Sequence, residues 1–133
     1  MPGKTGKNVV LIVDDEEAIG HMLAACCDIW GLEGIVASTA TEAIAMIAEC
    51  VPDVILTDFM MPGMNGHELL RTIHGNRRLQ RIPSILMSAV PDVARRKSPA
   101  DAFLPKPLDL DETRKALHFW LAQRRAGRRG RRP

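Results

Sequence analysis

The patterned part of the chain opens with Val9, Val10, Leu11, Ile12 and Val13, an unbroken apolar run that stops at Asp14, Asp15 and Glu16. A run with no polar face predicts a strand covered on both sides, the kind found in parallel sheets. From Glu17 to Trp30 the apolar positions change to a helical period, Ile19, Met22, Leu23, Cys26, Cys27 and Trp30, and Gly31 supplies the stop. Ile35 to Ala37 reads as a short second strand. Thr39 or Thr41 then caps a helix through Glu49, with Ala43, Ile44 and Ile47 inward.

The alternation continues to the end of the patterned region. Pro52 breaks the second helix, Val54 to Thr57 is a third strand, and Asp58 stands at its C-terminal end. A turn-rich loop, Met61 to Gly66, leads to a helix that Asn65 can cap and that runs to about His74 with Leu69, Leu70 and Ile73 inward. Ser84 to Met87 is a fourth strand closed by Ser88. Ala102 to Leu104 is a short fifth, ending at Pro105, Lys106 and Pro107. Asp109 or Asp111 opens a last helix through Gln123, with Leu117, Trp120 and Leu121 inward. Strands alternating with helices across short connections require right-handed crossovers. The expected architecture is therefore doubly wound α/β, a parallel sheet with helices on both faces.

Length and composition narrow the picture. At 133 residues, 46% apolar and 26% charged, the chain fits one globular domain with one core. It lacks any apolar run of the ~20 residues that a membrane-spanning helix needs. Met1 to Lys7 has no signal-peptide stretch, so the protein is expected in the cytoplasm. Gly3-Lys4-Thr5-Gly6-Lys7 superficially suggests a phosphate loop, but no strand precedes it, and residues 1–7 read as a flexible start. Cys26, Cys27 and Cys50 have neither metal-site spacing nor an even count, which leaves buried thiols as the reading. His21, His67, His74 and His118 show no ligand spacing and default to surface positions.

Charge is unevenly spread. Arg124, Arg125, Arg128, Arg129, Arg131 and Arg132 lie in the last ten residues, and removing these six from the net charge of +2 leaves the rest at −4. Residues 8–123 are expected to form the domain and 124–133 a basic, disordered tail. Six charges without aromatics support only salt-sensitive, non-specific affinity for polyanions, so specific nucleic-acid binding is not expected.

In doubly wound sheets, ligands bind beyond the carboxyl ends of the strands. Here those ends carry Asp14 and Asp15, Asp58, Ser88 and Lys106. Carboxylates gathered at one edge repel unless a cation joins them. Oxygen donors without nearby His or Cys favour magnesium over zinc. A carboxylate placed like Asp58 can attack phosphorus once that repulsion is screened. Lys106 offers a compact charge to a phosphoryl oxygen, and Ser88 a hydroxyl.

The segments VLIVDDE (Val10 to Glu16), ILTDFMMPGMNG (Ile55 to Gly66), ILMSA (Ile85 to Ala89) and FLPKPL (Phe103 to Leu108) together resemble the receiver domain of two-component response regulators, from about Val9 to Leu121. The resemblance implies a flavodoxin-like sheet of order 2-1-3-4-5. It also implies Asp58 as phosphoacceptor and a Mg2+ ion held by Asp15, Asp58 and the backbone carbonyl of Met60, with Asp14 acting through water. Lys106 resembles the family lysine, Ser88 the hydroxyl residue that follows the phosphoryl group, and Phe103 the switch aromatic. The Lys106–Pro107 bond resembles the family's cis peptide. By the same resemblance the donor is a sensor histidine kinase or a phosphotransfer protein and the output a downstream protein target. The chain then catalyses only its own phosphorylation and dephosphorylation.

Two departures stand out. The stretch between Ser88 and Lys106 is about one helical turn, ~3.6 residues, shorter than is usual in the family, and it contains Pro91 and Pro99. The fourth helix is thus expected to be short or irregular, which leaves open a receiver-like fold that signals without phosphorylation. The sequence continues after the domain with the arginine tail alone, which is expected equally of a single-domain regulator and of a receiver separated from its output domain. A phosphatase of the haloacid dehalogenase class would need a second Asp two residues after the nucleophile, where this chain has Met60.

Overall fold

The protein is described here by a computed structural model covering residues 2–130. Strand β1 (Val9–Val13) is followed by α1 (Glu17–Ile29), β2 (Glu33–Ala37), α2 (Ala40–Glu49), β3 (Val54–Asp58) and α3 (Gly66–His74). After a 3-10 turn at Arg77–Leu79 come β4 (Ser84–Ser88), α4 (Pro91–Arg95), β5 (Ala102–Pro105) and α5 (Leu110–Gly130). The five strands pair in parallel in the order β2-β1-β3-β4-β5, as the periodicity and the resemblance imply.

Every residue of β1, β3 and β4 is buried, which is why these strands carry no polar face. Successive side chains point to opposite faces. Leu11 and Val13 of β1, Ile55 of β3 and Leu86 of β4 enter one core layer, with Ala43 and Ile47 of α2 and Leu69, Leu70 and Ile73 of α3. Val10, Ile12, Leu56, Ile85 and Met87 enter the other, with Leu23 and Cys27 of α1 and Leu117 and Leu121 of α5. Among the cysteines only Cys27 is fully buried, and burial pushes its thiol up to about 12.

Local signals set the helix starts. Thr39 accepts from the Glu42 N–H at 3.0 Å, which decides between the two threonines. Asn65 and Glu68 form a reciprocal capping box, each side chain accepting the other's backbone N–H at 2.9 Å. Asp109 accepts from the Glu112 N–H at 3.0 Å, so α5 opens there and not at Asp111.

The structure extends the last helix beyond Gln123, gives the first residues partners on β2, and moves one histidine inward. The last helix does not end at Gln123, and the expected disordered tail gives way to helical backbone as far as Gly130. Gln, Arg and Ala are strong helix formers and outnumber the glycines at 127 and 130, each of which costs about 1 kcal/mol. Arg124 donates to the Asp53 carboxylate at 2.7 Å, and the same carboxylate accepts the Val9 N–H at 2.7 Å. This staple ties the helix to the start of β1. Residues 131–133 of the expected tail lie outside the described residues. At the other end, the Gly3 N–H and the Thr5 hydroxyl both donate to the Glu33 carboxylate, so the starting segment lies against β2. His67, expected on the surface, is buried. The expected short fourth helix is found: α4 has five residues.

Candidate functional site

The carboxyl ends of β1 and β3 deliver the acidic residues. Asp14 follows β1, is fully buried, and is fixed by its own N–H on the Ala37 carbonyl and by the Glu16 N–H on its Oδ1 at 2.9 Å. Asp15, beside it, is exposed, while Asp58 closes β3 and is buried. One oxygen from each of the three carboxylates lies within 4.8 Å of the others. Lys106, just past β5, points its Nζ between two of them, 3.2 Å from Asp14 Oδ2 and 3.3 Å from Asp58 Oδ2. The Lys106 N–H is held by the Ser88 carbonyl, and the Lys106–Pro107 bond is cis.

The loop after Asp58 is shaped by close packing. The Phe59 N–H bonds to Met87 O, and the Phe59 carbonyl accepts the Gly66 N–H at 2.8 Å. A Cβ at Gly66 would stand 2.5 Å from the Asp58 carbonyl oxygen and 2.8 Å from Leu86 Cδ1. Only glycine lets α3 begin this near the site. Met60, two residues beyond Asp58, is exposed in this loop.

Electrostatically the site is a concentrated negative charge answered by one lysine. Burial, the largest influence, raises the Asp58 carboxyl above its ordinary value. Lys106 pulls it down, and Asp14 and Asp15 push it back up. Burial works against the Lys106 ammonium, but Asp58 and Asp14 outweigh it and hold its pKa above the ordinary lysine value, so it is charged at neutral pH. The arrangement can take up a further cation or pass negative charge to an incoming group.

The other sequence-derived candidates lie around this centre. Ser88 ends β4 next to Met87, the register partner of Asp58, and its Oγ accepts the Val90 N–H at 2.9 Å, toward α4. Phe103 sits partly buried on β5 with the Arg95 guanidinium 5.5 Å above its ring. Two residues escaped the sequence reading. Phe59 is buried and packs on the His67 ring, centroids 4.7 Å apart, and His67 bonds to the Ala94 carbonyl in α4. The only signal for His67 was its place three residues before Leu70, at the border of the apolar face of α3.

These features define a doubly wound α/β domain with an acidic, lysine-bearing pocket at the carboxyl edge of its sheet. The family model for the response regulator receiver domain matches residues 10–118. The chain is 36% identical over 110 residues to the DNA-binding transcriptional regulator NtrC of Salmonella typhimurium strain LT2, covering 80% of this chain and 23% of that protein. It is 39% identical over 89 residues to the phosphate regulon transcriptional regulatory protein PhoB of Pseudomonas aeruginosa, covering 67% of this chain and 37% of that protein. The chain thus spans about a quarter to a third of these regulators' lengths. Among solved structures, the signal receiver domain of an HD domain-containing protein from Pseudomonas fluorescens Pf-5 superposes with a TM-score of 0.83 at 25% identity, covering 98% of each chain. The Vibrio cholerae chemotaxis protein CheY4 superposes at 0.78 with 25% identity, over 85% of this chain and 98% of that one. The chain belongs to the response regulator receiver domain family of two-component signalling.

Proposed function

We propose that this receiver takes a phosphoryl group on Asp58, with magnesium held by Asp14, Asp15, Asp58 and the backbone carbonyl of Met60, and thereby changes its affinity for a protein partner. The observation that carries the reading is the meeting of the three carboxylates within 4.8 Å, with the Lys106 ammonium 3.2 and 3.3 Å from two of them. The donor set fits the ion: the cluster offers hard carboxylate oxygens without Cys or His, and the Asp58 carboxyl is raised first by burial and further by Asp14 and Asp15 beside it. A bound magnesium ion supplies the charge that lets two anions approach.

The residues then divide the work. An Asp58 oxygen forms a bond to phosphorus as the bond from phosphorus to the donor's imidazole nitrogen breaks, and that nitrogen takes up a proton. Lys106 pairs with Asp58 beforehand and with a phosphoryl oxygen afterwards. Ser88 transfers its hydroxyl from the Val90 N–H to another phosphoryl oxygen, and Phe103 turns inward as Ser88 leaves. The donor is a sensor histidine kinase or a phosphotransfer protein, and the chain acts as a switch that catalyses only its own phosphorylation and dephosphorylation. That places it in the cytoplasm, and no helix among the described residues is long and apolar enough to cross a membrane.

The test is mass. Incubation with acetyl phosphate and magnesium should add one phosphoryl group to the protein, and Asp58→Asn should add none. Full incorporation into Asp58→Asn would exclude the assignment.

A further inference from the structure

A five-residue helix has no stability of its own, because nucleating a turn costs more than so few hydrogen bonds return. α4 therefore depends on what holds it, and its last carbonyls have no partners within the helix. Val93 is half exposed, while Ala94 is fully buried. Two side chains of α3, one helical turn apart, hold the end of the helix and the residues after it: His67 Nε2 bonds to Ala94 O and Arg71 Nη2 donates to Lys97 O, two residues past the helix, at 3.1 Å. Because a carbonyl only accepts, His67 carries its proton on Nε2. Lys97 itself sits at φ 49°, a left-handed backbone that a non-glycine residue adopts only when its surroundings impose it.

The two tethers differ in what lies behind them. Arg71 is exposed and belongs to α3 alone, whereas His67 is buried and packs its ring on Phe59, the residue that follows Asp58. From the site a second route reaches the same helix: Ser88 Oγ accepts the Val90 N–H, and Val90 O accepts the N–H groups of Val93 and Ala94, at 3.1 Å each. The contacts close a ring that runs from Phe59 through His67 to Ala94, back through Val90 to Ser88, and from its neighbour Met87, whose carbonyl accepts the Phe59 N–H, to the start.

We infer that His67 is a positioning residue that couples the acidic site to α4, holding the short helix through Ala94 and sensing the Asp58 loop through Phe59. The inference rests on the phosphorylation reading for what drives the coupling, and on geometry alone for the tether. When Ser88 gives up Val90 to follow a phosphoryl group, the His67 bond to Ala94 still joins α4 to the Asp58 loop, beside the Arg95 contact with Phe103 on β5, so the rearrangement of the helix is constrained through that imidazole.

Amide hydrogen exchange of residues 90–97 tests both parts, in the full chain with and without acetyl phosphate and magnesium. His67→Phe keeps a ring against Phe59 but removes the bond to Ala94, while His67→Gln keeps a donor and removes the ring. Without phosphodonor, His67→Phe should exchange roughly 3- to 10-fold faster across this segment, the equivalent of one lost neutral hydrogen bond. Equal protection in the unmodified protein and in both variants would overturn the tether. With phosphodonor, both variants should still gain the phosphoryl mass but lose most of the change in exchange that the unmodified protein shows. Arg71→Ala should loosen the segment yet keep that change. A full response in His67→Phe, or an equal loss in Arg71→Ala, would reduce His67 to an ordinary anchor and overturn the coupling. Absence of phosphoryl mass in the unmodified protein would instead refute the proposed function and leave the tether to be judged on the first comparison.

Discussion

Asp58 is costly to keep. Its carboxyl is buried beside Asp14 and Asp15, and its raised pKa means that the folded state favours the protonated form more than the unfolded state does. The sign follows by linkage. A group with a raised folded-state pKa stabilises fully below its unfolded value, near 3.8 here, and that contribution is lost as pH rises through the folded value. At neutral pH the ionised Asp58 therefore burdens the metal-free fold. Asp58→Asn, which is close in shape and uncharged, should raise the urea midpoint of magnesium-free protein at pH 7, with the advantage shrinking toward pH 4. A lower midpoint at pH 7 would mean that the Lys106 pair outweighs burial. Gly66 is the other residue where one atom decides. The Cβ of Gly66→Ala would meet the Asp58 carbonyl oxygen at 2.5 Å, and overpacking of this kind costs about 1–3 kcal/mol. Denaturant titration should show that loss together with weaker phosphoryl incorporation.

At the scale of elements, caps and apolar runs explain most of what the sequence revealed. β1, β3 and β4 were legible because burial on both faces makes their central residues an apolar run, with polar residues confined to the strand ends. β2 was read two residues short, since Glu33 and Gly34 belong to an edge strand only partly covered. The Asn65 capping box is a strictly local signal, and its removal in Asn65→Ala should cost about 0.5–2 kcal/mol in a urea melt without changing the fold. An unchanged midpoint would show α3 to be held by Leu69, Leu70 and Ile73 alone. α4 could be foreseen as short from Pro91 and the brevity of its segment, but its tethers could not. His67, Arg71, Ala94 and Lys97 are brought together by tertiary packing that no spacing encodes. The same holds for the far end of α5, where Arg124 meets Asp53 across 71 residues of sequence.

For the molecule as a whole, strand order converts sequence motifs into a site. Asp14, Asp15, Asp58 and Lys106 lie at three separate points of the chain, and they meet because β1 pairs with β3 and β3 with β4, which carries β5 at its edge. The acidic centre was legible because each of these residues ends a strand. The direction in which Ser88 turns its hydroxyl was not, nor was the Arg95 cover over Phe103. A pocket so loaded with negative charge should bind a divalent cation only in the folded state, and such a ligand stabilises by RT ln(1 + [L]/Kd), about 2.7 kcal/mol when present at a hundred times Kd. Thermal melts of the unmodified chain, Asp15→Ala and Asp58→Asn, each with and without magnesium, put this to the test. The melting temperature should rise with magnesium in the unmodified chain and stay nearly level in both variants. An equal rise in all three would place the cation elsewhere and contradict the shared pocket on which the proposed function stands.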